Sequence, residues 1–173
     1  ATGDYFMKFI CAAPPPPPPN CFVQTIIAYQ PDPYAGTQVF LTDDVHSGVV
    51  NIGFDFCYFG IDYNQCVIAS NNYITFDLFK AFTWSPWATV PVPTMVPLEI
   101  MNSVLSPWQD VHPGVGGAIY YQTLGVAPNR RFVVSFENVP MFSCTGILYN
   151  SQIILREGSN CFETHIADKV FCP

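Results

Sequence analysis

The sequence predicts an all-β chain, an antiparallel β-sandwich of jelly-roll or immunoglobulin-like type with about ten strands. Three observations predict it. Short runs rich in β-branched and aromatic residues recur between turn signals from Cys21 onward. No window of helical length with apolar spacing of three and four is free of Pro, Gly or β-branched runs. Finally, 17 Pro and 11 Gly punctuate 173 residues, the turn density that a sandwich of short strands needs.

Taken in order, residues 1–20 differ from the rest. Ala12-Ala13 followed by Pro14 to Pro19 forms a semi-rigid polyproline segment that can carry neither helix nor ladder. It reads as an arm or linker, or as an extended segment on the domain's own surface. Residues 21–173 form the sandwich domain, with strands expected at 22–29, 38–42, 49–54, 66–70, 73–79, 103–106, 118–124, 132–137, 147–155 and 162–167. Residues 80–101, with Trp84, Trp87 and four prolines, lack periodicity and form a long connection of the kind that serves interaction.

Composition narrows the function. A chain of 173 residues fits one domain and can bury about 70% of its unfolded surface. Six Lys and Arg against 13 Asp and Glu leave a net charge of −7, which cannot neutralise a row of phosphates. Nucleic acid and an anionic membrane surface are therefore poor partners. No apolar run reaches the length of a membrane-spanning helix, so no membrane insertion is expected. The opening Ala-Thr-Gly-Asp has no basic head or apolar segment, so a signal peptide has been removed or the chain is an excerpt of a longer one.

Seven cysteines suggest an oxidising compartment if they pair. A hairpin centred on Gly158, in the turn 157–160, places Cys144 opposite Cys172, close enough for a disulfide. By the same arithmetic Cys57 and Cys66 bracket the turn 60–64 and make a second bridge. Cys11 and Cys21 bracket Pro14 to Pro19 and make a third if the flanks fold back. Cys161 is left over; alternation sets it on the face of Glu163 and His165, away from Phe162 and Ile166. It reads as an outward thiol open to intermolecular pairing, or as an inert one. Zinc is a poor alternative, because no Cys-x-x-Cys occurs.

Several stretches together resemble a module of large secreted surface proteins of Bacteroidota, the gliding-motility-associated, type IX-secreted kind. In the first half these are Leu41 to Val50, with Thr42-Asp43-Asp44-Val45-His46, then Ile52 to Gly60 and Ile68 to Phe76. In the second they are Asn102 to Asp110, Gly116-Gly117-Ala118-Ile119-Tyr120-Tyr121, Leu124 to Val134, Asn138 to Cys144 and Lys169-Val170-Phe171-Cys172. The part from Trp108-Gln109-Asp110 to Tyr121 is also loosely similar to nidogen-like extracellular domains. The resemblance implies an extracellular adhesin or filament module without catalysis. That family carries Asn-Gly where this chain has Asn71-Asn72, and an acidic residue where it has His112, which speaks against a purely carboxylate ion site. Its modules run past the last cysteine into a further strand, so the likeness implies a final strand missing here or supplied by another chain.

Asp44-Val45-His46 and Asp110-Val111-His112 each set an acid and an imidazole two residues apart, on one face if the backbone is extended. Were the two loops to meet, Asp44, His46, Asp110 and His112 would offer oxygen and nitrogen ligands to a divalent ion such as calcium; turn capping by Asp43, Asp44 and Asp110 is the competing reading. No Gly-x-Ser-x-Gly elbow occurs, and none of the three His lies in a diagnostic motif, so no enzyme is expected. The glycine-rich 113–117 stretch precedes a strand rather than a helix and reads as a turn. Arg130-Arg131 reads as a hairpin start or a carboxylate clamp. Trp84, Trp87, Trp108, Tyr120, Tyr121 and Phe142 could stack on sugars, but an apolar chain with few charges points first to protein contacts. The expectation is a structural or adhesive subunit, part of a homo-oligomer, a filament or a larger surface protein, needing no cofactor. The alternative is a carbohydrate-binding or calcium-assisted adhesion domain. Pro14, Pro19, Trp84, Trp87 and Cys161 are the candidate contact residues.

Overall fold

The computed structural model describes the backbone of residues 9–10 and the whole of 25–87, 100–167 and 171–172. Ten strands form two antiparallel sheets. They are β1 (Phe9–Ile10), β2 (Thr37–Val39), β3 (His46–Tyr58), β4 (Ile61–Ala69), β5 (Tyr73–Thr75), β6 (Ser103–Leu105), β7 (Ala118–Leu124), β8 (Arg131–Pro140), β9 (Leu148–Arg156) and β10 (Cys161–Ile166). One sheet has the order β1-β10-β9-β8-β7-β2, its outermost member the two-residue β1; the other has the order β3-β4-β5-β6. β1 lies inside the segment read as an arm. Pro14, Pro19, Cys11 and Cys21 lie outside the described residues, as does most of the long connection.

The sandwich follows from side-chain alternation. Along β3, Val50, Ile52, Phe54 and Phe56 are buried while Val49, Asn51, Gly53 and Asp55 are exposed. They meet Phe132, Val134 and Phe136 of β8 and Tyr149, Ile153 and Leu155 of β9 in one core between the sheets. β8 and β9 are buried on their other face as well. Residues 29–34 cross that face as a strap: Tyr29 packs on His165 of β10, and Asp32 exchanges two hydrogen bonds with the Gln152 side chain of β9. Asp32 also takes an ion pair from Arg131 of β8, and the Pro33 carbonyl accepts from Gln122 of β7. The strand expected at 22–29 is thus, where described, a strap outside any ladder.

The hairpin β9–β10 is regular, from Phe162 opposite Leu155 to Ile166 opposite Ser151. Just beyond it, Cys144 and Cys172 are bonded with Cα atoms 5.8 Å apart, the expected pair, although the ladder, with Leu155 opposite Phe162, runs one residue off the count centred on Gly158. The Cys57–Cys66 bridge is not formed. The turn between β3 and β4 is the two residues Phe59-Gly60, both at positive φ, so Cys57 faces Asp62. A register irregularity between Asn51 and Phe56 then sets Cys66 opposite Val50, with its thiol wholly buried in the core.

Cys161 is also corrected. Alternation does place it with Glu163 and His165, but that face is covered, and all three are buried. Its thiol donates to the Ser159 carbonyl at 3.5 Å, so it is not an accessible contact residue. The strand expected at 73–79 ends at Thr75, because the Asp77 carboxylate accepts from the Phe79 N–H and caps a single 3-10 turn, Leu78–Lys80.

Candidate functional site

The approach to β3, the β4–β5 turn, the segment 82–87 and the loop 108–112 are gathered by one side chain. Asn71, fully buried, donates from Nδ2 to Asp44 Oδ1 at 2.8 Å and to the Ser85 carbonyl at 3.2 Å, and its Oδ1 accepts from the Val111 N–H at 3.2 Å. Trp108, buried in one cluster with Ala69 and Tyr73, donates its indole N–H to the Pro86 carbonyl at 3.0 Å. These bonds bring together residues far apart in the chain.

Asp43, Asp44 and Asp110 consequently converge, each with a carboxylate oxygen within 4.8 Å of the others. Partial burial, then the charges of Asp44 and Asp43, push the Asp110 carboxyl up to about 6, with His112 acting in the opposite sense. Asp43 is raised by the same causes, burial first and Asp44 second. Asp43 Oδ1 and His112 Nδ1 are buried atoms without a hydrogen-bond partner. The His112 ring stacks on Phe142 with centroids 6.3 Å apart, and the Phe142 N–H donates to the Asp110 carbonyl.

Of the four ligands expected for an ion, Asp44 and Asp110 meet and His112 lies beside them, but His46 does not join. Asp44 takes a left-handed φ of 51°, so strand alternation does not link it to His46. The His46 ring is buried elsewhere. Its Nδ1 lies 3.3 Å from the Thr83 carbonyl, which can only accept, so this nitrogen carries the proton and Nε2 accepts from the Tyr73 hydroxyl at 2.8 Å. Ser85 Oγ donates to that hydroxyl at 3.2 Å. Burial lowers the His46 pKa, which keeps the ring neutral. Asp43, read from sequence only as a turn cap, is the third acid; the Asp43-Asp44 pair was the signal for it.

The same network fixes segment 77–87. The Phe82 N–H donates to Ser47 O, the His46 N–H to Thr83 O and the Ser85 N–H to Asp44 O, so the segment runs along the start of β3. Phe82 lies over Gly48, where a Cβ would come within 2.7 Å of the ring. The outer parts of these side chains remain in water: Phe79 is 95% exposed, Phe82 83%, Trp84 55% and Trp87 41%. Of the other aromatics expected to stack on sugars, Phe142 is exposed, Trp108 is buried and Tyr121 packs on Phe132. Arg130 and Arg131 are engaged inside the chain, Arg130 with Glu157 and Arg131 with Asp32. The glycine-rich 113–117 stretch is a 3-10 turn leading to β7, as expected.

A search of curated proteins finds no match, and a search of solved structures finds none. A family model described as NIDO related matches residues 21–170, the span of the sandwich domain and nearly the whole chain. This agrees with the looser likeness to nidogen-like extracellular domains and with the disulfide-closed β-sandwich, and the chain belongs to the NIDO-related family.

Proposed function

We propose that this chain is a non-enzymatic, secreted module of the cell exterior that works by contact, as a structural or adhesive subunit joined to copies of itself or to neighbouring domains of a larger surface protein. The distribution of exposed apolar side chains carries this reading. Among the described residues 16 large hydrophobics are exposed, and five of them, Leu78, Phe79, Phe82, Trp84 and Trp87, fall within ten consecutive positions. Apolar rings concentrated on a hydrogen-bonded segment are the composition of a contact surface. The disulfide, the NIDO-related family and the resemblance to type IX-secreted surface modules support a place outside the cell. Sedimentation velocity of the full oxidised chain over a wide concentration range tests the reading. Concentration-dependent association is the expected result; a chain that stays monomeric throughout and binds no extracellular surface overturns it.

Calcium-assisted adhesion is a second reading, favoured by the convergence of Asp43, Asp44 and Asp110. Calcium takes oxygen ligands, and weak extracellular sites are common. Calorimetric titration with calcium chloride tests it: saturable binding that Asp110→Asn removes is expected. No heat and no change in Tm at about 10 mM calcium, well above the dissociation constants of extracellular modules, would sink it.

A further inference from the structure

We propose that segment 77–87 is a two-fold self-association face, on which Phe79, Phe82, Trp84 and Trp87 of one copy pack against the same segment of a second. The inference rests on the contact reading above and names its surface and partner. Size is the first argument. With ~200 Å² for each aromatic side chain, the exposed fractions of these four rings amount to about 550 Å². A standard interface covers ~800 Å² per partner, little more than half of it apolar. The four rings alone therefore meet the apolar content of a stable protein interface.

Charge is the second argument, and it selects a second copy. Two chains of net charge −7 repel one another, which favours pairing through a segment whose own residues carry no net charge, with the acids of the loop end adjoining it only at its Ser85 end. Between residues 71 and 87 the only charged residues are Asp77 and Lys80, one of each sign. All three arginines are engaged within their own chain, whereas Lys80 has no carboxylate partner among the described residues. A two-fold contact sets Lys80 against the partner's Asp77 and Asp77 against the partner's Lys80, a self-complementary pattern.

Rigidity is the third. Backbone bonds to Asp44, His46 and Ser47, the Asp77 cap and the Thr83 hydroxyl on the Lys80 carbonyl at 2.7 Å hold the segment in place, so little ordering cost remains to be met on pairing. Such a contact closes on itself and stops at a dimer; a filament would require a second, different contact.

The test is sedimentation of the full oxidised chain beside Phe79→Asp, Lys80→Glu and, as a control elsewhere on the surface, Phe40→Asp. Phe79 and Phe40 are 95% and 84% exposed, so neither change disturbs the core, and unchanged melting curves verify this. The expected result is a dimer weakened at least tenfold by Phe79→Asp, weakened less by Lys80→Glu, and unaffected by Phe40→Asp. A wild-type chain that associates while Phe79→Asp associates equally overturns this face and leaves the contact reading standing. A wild-type monomer at every concentration overturns this proposal and self-association with it. A monomer whose tryptophan fluorescence is quenched by added oligosaccharides overturns it in favour of a sugar ligand.

Discussion

The carboxylates of the six-stranded sheet and those of the loop end are the same chemistry under opposite conditions. On the sheet, Asp32, Glu157 and Glu163 are each held by an arginine, Arg131, Arg130 and Arg156, which are all the arginines the chain has. At the loop end, Asp43, Asp44 and Asp110 converge with no Lys or Arg pairing among the described residues. Arg130 hydrogen bonds hold Glu157 down to about 2. Burial opposes ionisation of Glu163, but hydrogen bonds from His165 and Arg156 outweigh it, and the group also sits at about 2. Asp110, by contrast, is pushed up to about 6. The sheet therefore gains stability from its charges at neutral pH, whereas the loop end loses it. A destabilising cluster kept in place by a buried Asn71 is what a binding region looks like, and a well-paired face is what a scaffold looks like.

The largest effect expected lies on the scaffold side. Replacing Cys144 and Cys172 together by Ser frees a loop whose ends are 28 residues apart and should cost about 3 kcal/mol, read from denaturant unfolding. Next comes Arg156→Ala. Glu163 is only 4% exposed, and losing Arg156 leaves a buried carboxylate with His165 and the more distant charge of Arg131. Because the Arg156 side chain is 41% exposed, the cost is scaled down to about 2 kcal/mol at pH 7. In the wild type the Glu163 contribution is present above the ordinary glutamate pKa of 4.5 and is lost as pH falls through about 2. The Arg156→Ala penalty should shrink over the same acidic interval; a penalty independent of pH would mean that packing, not charge, holds this face.

The two regions also differ in how far the sequence discloses them. Counting outward from a turn brings Cys144 and Cys172 close, although the observed register is one residue off that count and Cys144 sits in the turn before β9, where the disulfide can absorb the difference. The same counting fails for Cys57 and Cys66 because Phe59, an unusual residue at positive φ, starts the turn, and an irregularity in β3 then shifts the partners again. Neither event has a signature in residue type. Burial of Glu163 and His165 is hidden for a different reason. Alternation tells which residues share a face, but not that residues 29–34, with their two prolines, fold back over it. At the loop end, the Asp-x-His repeats draw attention to Asp44 and Asp110. Their meeting depends on three hydrogen bonds of Asn71, two donated and one accepted, which spacing along the chain cannot show.

A third change links the two regions. Tyr73→Phe removes the hydroxyl between His46 and Ser85 and leaves two buried polar groups short of a partner, at a cost of about 1.5 kcal/mol. Since this hydroxyl ties β5 to the segment bearing Trp84 and Trp87, tryptophan fluorescence and hydrogen exchange at 82–85 should respond before global unfolding does. Uniform exchange throughout the chain would show that the segment is no looser than the scaffold.

The smallest effect is the one that separates the two regions most sharply, because its sign is reversed. Asp110→Asn substitutes a neutral isostere for a carboxyl whose pKa is raised in the folded chain, so it should stabilise the protein at pH 7. Asp110 is only half-buried, and after allowance for solvent screening the gain is about 0.5 to 1 kcal/mol. The raised group contributes its stability in full below the unfolded value of 3.8 and loses it as pH rises through about 6. The advantage of Asn over Asp should therefore be greatest above pH 6 and vanish near pH 4, the reverse of the course expected for Glu163. Melting curves of both proteins between pH 4 and 8 check it. If Asp110→Asn is destabilising at pH 7, the ionised carboxylate is contributing to the fold and the three acids are not a strained cluster.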